Sequence, residues 1–124
     1  MNNPYQNLGE FSPFNLFPEM RIGEAFKKIT CAGIDGRTKP VKQDIKEAIY
    51  TLNLIINDTL NYKSALSNVS AYELVNIHRH YLEVLNMLPK QAEAANLVLK
   101  YCWSDNIGYL KDAVMVLNDL MEKL

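Results

Sequence analysis

Residues 70–88, SAYELVNIHRHYLEVLNML, predict an amphipathic helix more clearly than any other part of the chain. Apolar and aromatic side chains recur there every three or four residues, at Ala71, Leu74, Val75, Tyr81, Leu82, Leu85 and Leu88, with His78 in the remaining gap. Ser70 and Glu73 have the spacing of a capping box, and Pro89 ends or kinks the helix. Because a one-sided stripe of this length needs neighbouring helices, we expect this segment to be the central support of an all-α domain.

The flanking segments supply four more helices, two before this segment and two after it. The first runs from Pro18 to before Gly33, the second from Pro40 to about Tyr62, the fourth follows Pro89 to Trp103, and the fifth follows Asn106. The inner face of the first helix is formed by Ile22, Ala25, Phe26 and Ile29. We therefore predict an antiparallel bundle of about five helices over residues 18–124, preceded by an extended arm, residues 1–17.

The second helix gives two further expectations. Its apolar stripe leaves Asp44 on the solvated face. Tyr50 and Leu54 also lie off the stripe, so this helix is expected to meet neighbours on more than one side.

Length and composition are those of one soluble domain. The chain has 124 residues, a formal net charge of −1 and 48% hydrophobic residues, with no apolar run of the roughly 20 residues that span a bilayer. The N-terminal residues do not have the pattern of a secretory signal, and the two cysteines, Cys31 and Cys102, are expected to be reduced thiols. These features favour a cytoplasmic protein, and the Asn-rich composition suits several kinds of source, among them a virus.

The N-terminal arm carries three of the four Phe residues of the chain, Phe11, Phe14 and Phe17. Prolines interrupt regular structure there, yet disordered tails are normally poor in aromatic residues. The arm should therefore dock on a surface. It either closes a seam of its own bundle or inserts into the groove of a partner, where large aromatic side chains are favoured anchors.

Catalytic and metal-binding patterns are weak. His78 and His80 are two residues apart, so on a helix they point in nearly opposite directions and do not chelate one ion together. His78 falls in the apolar stripe and is expected to be a packing residue. No nucleophile elbow, zinc-type spacing, dinucleotide fingerprint or Walker loop occurs, so we expect neither an enzyme nor a bound cofactor or metal.

The connector from Gly33 to Pro40 is the one candidate anion site. Basic residues dominate it and its flanks, and the helix that follows presents its N-terminus there. Arg37, Lys39 and Lys42 are the candidate contacts for a nucleotide or other phosphate-bearing ligand. An ordinary solvated loop is the alternative, since the glycine spacing matches no phosphate fingerprint. Nucleic acid is a less suitable partner, because the aromatic residues are not interleaved with the basic ones.

From Thr38 onward the chain resembles the helical domain of the steroid receptor RNA activator protein, which also ends the large outer subunit of COPII vesicle coats. The similar features are Thr38-Lys39-Pro40-Val41-Lys42-Gln43-Asp44-Ile45, Leu66-Ser67, the alanines 92, 94 and 95, and Val114, Leu117 and Leu120. The family's aromatic residue inside the last helix is absent, and Trp103 comes earlier. The resemblance implies a non-catalytic protein-interaction domain of coat assembly or of a ribonucleoprotein regulator, and no functional residue carries over.

The sequence therefore favours a protein-interaction module, either an assembly subunit or a binding regulator. The expected contact residues are Phe11, Phe14, Phe17 and Trp103, and the partner is a protein or a second copy of the chain. The alternative is a small helical protein that sequesters a nucleotide at the connector.

Overall fold

The computed structural model describes residues 20–58 and 69–124, which form five α-helices and no strands. The helices are α1 (Met20–Cys31), α2 (Val41–Asn57), α3 (Ala71–Val84), α4 (Pro89–Ser104) and α5 (Ile107–Lys123). The predicted all-α class is confirmed. The arm, residues 1–17, and the expected start at Pro18 lie outside the described residues.

Four of the helices form a closed ring. α1 packs on α2, α2 on α5, α5 on α4, and α4 returns to α1. Side-chain contacts fix the directions: Arg21 at the start of α1 pairs with Asp58 after α2, and Gln91 at the start of α4 bonds the end of α1. Neighbouring helices in the ring are therefore antiparallel, as predicted for the bundle.

Helix α3 is the fifth helix and lies outside this ring. Its main neighbour is α4, and its Tyr81 ring meets the Phe26 ring of α1 edge to face, with centroids 4.8 Å apart. Such aromatic pairs add about 0.5–1.5 kcal/mol beyond the area that they bury. The expectation that residues 70–88 form the central support was thus wrong, because α3 covers the α1–α4 seam from outside.

The buried face of α3 also differs from the predicted stripe. Leu74, Ile77, Tyr81 and Leu85 are buried, whereas Val75, Leu82 and Leu88 are exposed. The apolar residues of α3 cover a wider arc of the helix than one neighbouring helix can bury. Ile77 is buried because it lies on the side that faces the four-helix ring. The helix itself ends at Val84, four residues before the predicted end, because residue 85 has an extended backbone conformation.

Helix α2 likewise departs from expectation at three points. It ends at Asn57 rather than near Tyr62, since Asp58 leaves the helical region with φ −126° and ψ 44°. Asp44 is fully buried, not solvated. The expectation that α2 meets neighbours on more than one side is correct, since α2 packs on both α1 and α5, but Tyr50 and Leu54 are exposed and do not make these contacts.

The junction between α1 and α4 is built around the buried amide of Gln91. Its oxygen accepts a hydrogen bond from the Leu88 backbone N–H at 2.8 Å. Its nitrogen donates to the carbonyl oxygens of Ile29 at 2.9 Å and Ala32 at 3.0 Å. Carbonyls at a helix end have no partner within the helix, so one side chain caps the end of α1 and the start of α4 together.

The other end of the bundle is set by α4 and α5. Asp105 takes a left-handed conformation with φ 59° and caps α4, while the Asn106 side chain accepts from the Gly108 N–H at 2.9 Å. Asn106, after which the fifth helix was predicted to begin, is therefore its N-cap. Of the capping box predicted for α3, the structure shows the hydrogen bond in which Ser70 Oγ accepts from the Glu73 N–H at 3.1 Å.

Candidate protein-binding surface

Exposed apolar side chains are concentrated on the outer side of α3. Tyr72 is 72% exposed, Val75 56% and Leu82 48%. Their spacing of three and seven residues places them along one line of the helix. We call these three residues the α3 strip. Single exposed apolar residues are ordinary on a protein surface, whereas three of them on one side of a helix make that side a candidate interaction surface.

The strip is exposed because both neighbours of α3 lie elsewhere. Tyr81 faces α1, and His78 Nε2 donates to the Ala92 carbonyl oxygen of α4 at 2.9 Å. Around the circumference of the helix, Leu82 and Val75 lie beyond His78 as seen from Tyr81. The strip is therefore beyond the α4 side of α3 and away from α1.

Trp103 lies at the N-terminal end of α3, where the strip begins. Its indole N–H donates to the Val69 carbonyl oxygen at 2.6 Å, next to the N-cap Ser70. The ring keeps 38% of its surface exposed. This predicted contact residue thus joins the end of α4 to the start of α3 and still presents an aromatic surface beside the strip.

The predicted aromatic contacts Phe11, Phe14 and Phe17 lie outside the described residues. The chain reaches the described part at Met20, the first residue of α1. That end of α1 is near Asp58 after α2, through the 3.1 Å contact of Arg21. By the antiparallel order of the helices, it is also the end of the bundle that carries Trp103 and the start of α3.

The basic connector does not present three uncommitted cations. Arg37 forms a two-pronged ion pair with the buried Asp44, including a 2.7 Å bond from Nη2 to Oδ1. Lys39 Nζ contacts Glu47 at 2.9 Å, while Lys42 is exposed. The two pairs join the connector to the first turns of α2. The anion-binding role of Arg37, Lys39 and Lys42 remains a prediction.

Glu47 is held between two lysines. The hydrogen bond from Lys39 lowers the pKa of the Glu47 carboxyl below its ordinary value, and Lys28, 3.4 Å away, lowers the pKa further. Lys28 is in the last turn of α1, where a cation also favours the helix dipole. The carboxylate therefore links α1, the connector and α2 through charge.

A second apolar surface lies at the opposite end of the bundle, between the start of α4 and the end of α5. It is an open groove of about 340 Å³. Its lining residues are Leu88, Pro89, Lys90, Leu120, Lys123 and Leu124. Lys90 is 3.9 Å from Asp119, so one of the two cations at the groove already has a carboxylate nearby.

Within residues 20–58 and 69–124, no group of three or more His, Cys, Asp or Glu side chains is placed to hold a metal ion. None of the five helices has the length and apolar character that crossing a membrane requires. Cys31 and Cys102 are both buried, and neither forms a disulfide.

Sequence reasoning missed two of the features described above. It did not single out Gln91, whose only sequence signal is a polar residue on the inner face of an Ala-rich helix, three positions after Leu88. It did identify Val75 and Leu82, but as core residues. The signal that could have separated them was the width of the apolar arc on α3, which exceeds what one seam can cover.

Comparison with known proteins gives no relative. No protein-family description, no curated protein and no solved structure matches the chain.

Proposed function

We propose that the chain is a non-catalytic protein-interaction module, an assembly subunit or a regulator that acts by binding. Its contact residues are Phe11, Phe14 and Phe17 of the arm, together with Trp103. The observation that carries the proposal is the exposed α3 strip beside the half-exposed Trp103 ring. Helix α3 packs on the outside of the four-helix ring, so its uncovered side can contact another protein without opening the core.

The chemistry of the polar residues supports the same proposal. The most buried charge, Asp44, is fully used by Arg37, and the buried amide of Gln91 is fully used by three backbone groups. His78 donates to a backbone carbonyl at the α3–α4 contact. These groups stabilise the bundle, whereas the side chains that meet solvent in an aligned set are apolar. Aromatic anchors of this kind dominate the energetics of many interfaces.

The resemblance to the helical domain of the steroid receptor RNA activator protein supports the same class of function. It favours coat assembly or ribonucleoprotein regulation as the setting. A binding module of either kind would act through surface contacts, as the arm and Trp103 are proposed to do.

The arm is tested by the full-length variant Phe11→Ser/Phe14→Ser/Phe17→Ser. Binding partners are captured from the native source with this variant and with the unaltered chain, and thermal unfolding is followed by circular dichroism. We expect the variant to keep its folded helical spectrum at low temperature while the captured partner is lost. A variant that unfolds, or that keeps its partner at full strength, would contradict the proposal; unfolding would show that the arm completes its own bundle.

Trp103 is tested in the same capture experiment. Trp103→Phe keeps an aromatic ring but removes the indole N–H that bonds Val69, and Trp103→Ser removes both. We expect the Phe variant to retain most of the partner and the Ser variant to lose it. Full capture by the Ser variant would show that the ring is not a contact.

A further inference from the structure

We propose that the partner of the aromatic arm is a second copy of this chain, and that the arm of one copy packs along the α3 strip of the other. This inference rests on the proposed function and gives the arm a receptor surface. The strip and the arm are complementary in kind, since the strip exposes large apolar side chains and the arm sequence carries three Phe residues at regular intervals of three.

Their lengths also agree. From Tyr72 to Leu82 the strip covers ten residues of helix, about 15 Å at 1.5 Å per residue. A polyproline-type backbone, with three residues per turn, rises about 19 Å over six residues, which is the sequence separation of Phe11 and Phe17. A spacing of three residues places Phe11, Phe14 and Phe17 on one side of such a backbone.

Charge favours the same pairing. Residues 1–19 contain Glu10 and Glu19 and no Lys or Arg. Arg79 is exposed and lies along the strip between Val75 and Leu82, so Glu10, next to Phe11, can meet an opposite charge. Glu83 lies beside the strip and is negatively charged, as the arm is. We therefore expect the arm to contact the strip on the side of Val75, away from Glu83.

The position of the strip favours a second copy over the chain's own arm. The arm joins α1 at Met20, and α1 meets α3 at Tyr81, on the side away from the strip. Phe17 precedes Met20 by three positions, so the link between their Cα atoms reaches at most about 11 Å. A helix with its side chains is about 10–12 Å across, so Phe17 of the same chain cannot pass round α3 to the strip. The arm of a second copy meets no such obstacle.

Reciprocal exchange of arms covers both strips and gives a closed dimer with twofold symmetry. The test uses two full-length variants that each lack one half of the contact. The arm variant is Phe11→Ser/Phe14→Ser/Phe17→Ser, and the strip variant is Tyr72→Ser/Leu82→Ser. The mass in solution is measured by light scattering over a range of concentrations.

We expect the unaltered chain to approach twice its 14.2 kDa monomer mass. Each variant alone should associate at least about tenfold more weakly, because each loses the aromatic or aliphatic anchors of one surface. An equimolar mixture should recover association, since one variant supplies an intact arm and the other an intact strip.

The control is Tyr50→Ser/Leu54→Ser on α2, which removes the same residue types at similar exposure, 67% and 42%. It should dimerise as the unaltered chain does. Circular dichroism confirms that all variants keep their helices.

Three results would overturn the proposal. A monomeric unaltered chain would mean that the arm docks on its own bundle or on a different protein. A dimer that survives in the arm variant would mean that α3 packs on α3 without the arm. A mixture that fails to associate would mean that arm and strip do not meet. Loss of a captured foreign partner in the arm variant would leave the proposed function standing, so the two failures are distinguishable.

Discussion

At the scale of single residues, Gln91 shows how one polar side chain can determine where two helices meet. Its amide is 2% exposed and satisfies one N–H and two carbonyl groups that the ends of α1 and α4 leave without partners. A buried backbone group without a partner costs free energy comparable to a lost hydrogen bond. The side chain therefore contributes to stability through the groups that it satisfies more than through its own packing.

Replacing Gln91 with Met should lower the free energy of unfolding by about 2–4 kcal/mol, because three backbone groups lose their partner in a buried place. Denaturant titration measures the change. Gln43→Met, at an exposed position on α2, is the matched control and should change stability by no more than about 0.5 kcal/mol. Equal effects of the two substitutions would contradict the assignment of Gln91 as a helix-capping residue.

Substituting Arg37 tests whether the connector has a structural role or binds a ligand. Removing its guanidinium in Arg37→Met leaves the Asp44 carboxylate buried without its cation, which should cost about 3–5 kcal/mol of stability. The double variant Arg37→Met/Asp44→Leu should recover much of that loss. Stability that is unaffected by Arg37→Met would instead indicate that Arg37 is available to a ligand such as a nucleotide.

Glu47 gives a pH-dependent prediction. Its pKa is lowered in the folded protein, chiefly by the hydrogen bond from Lys39, so its stabilising effect is fully present above the ordinary value of 4.5. That effect is lost as the pH falls below 4.5 through the lowered pKa, because the folded state then takes up the proton. Carboxyl chemical shifts recorded by NMR during an acid titration measure the value directly. In Lys39→Met the pKa of Glu47 should move back toward 4.5, and an unmoved pKa would exclude Lys39 as the main cause.

At the scale of elements, α3 is the helix with the least support. The four ring helices each pack on two ring neighbours, whereas α3 packs mainly on α4. Regions with fewer buried contacts open more readily than the core. Hydrogen exchange should therefore be fastest in α3 among the five helices.

Ser70→Ala, which removes the N-cap oxygen, should lower the opening free energy of α3 by about 1 kcal/mol and leave that of α5 unchanged. Protection of α3 equal to that of α5 would contradict its placement outside the ring.

The sequence predicted some elements better than others for a physical reason. The inner face of α1 was confirmed in full, since its four apolar residues form a single narrow stripe that only one arrangement can bury. Helix α3 carries apolar residues over a wider arc, and which part becomes buried depends on the position of α4, not on spacing within the helix. The end of α3 at Val84 was not predicted either, because Leu88 and Pro89, which were assigned to the end of α3, form the start of α4.

At the scale of the whole molecule, the all-α bundle followed from periodicity alone, but the arrangement of its helices did not. The ring of α1, α2, α5 and α4 depends on contacts between residues far apart in the chain, such as Gln91 with Ile29 and Arg21 with Asp58. Asp44 was expected at the surface because nothing local shows that Arg37, seven residues earlier, folds back over it. Charges and amides buried in pairs are set by tertiary structure, which a helical pattern does not encode.

The proposed binding site also depends on tertiary structure. Its aromatic residues were visible in the sequence, whereas the exposed side of α3 became visible only once the ring showed which side was covered. At this scale we propose that the aromatic arm is a contact surface and that its receptor is the α3 strip of another copy.

The most direct test places a photo-crosslinking phenylalanine analogue at Phe14 of the full-length chain. Normal and ¹⁵N-labelled protein are mixed, irradiated and digested, and the crosslinked peptides are identified by mass spectrometry. We predict adducts that join residue 14 of one isotopic form to a peptide of α3 in the other. Crosslinks confined to a single isotopic form, or adducts between the two forms that avoid α3, would contradict the claim.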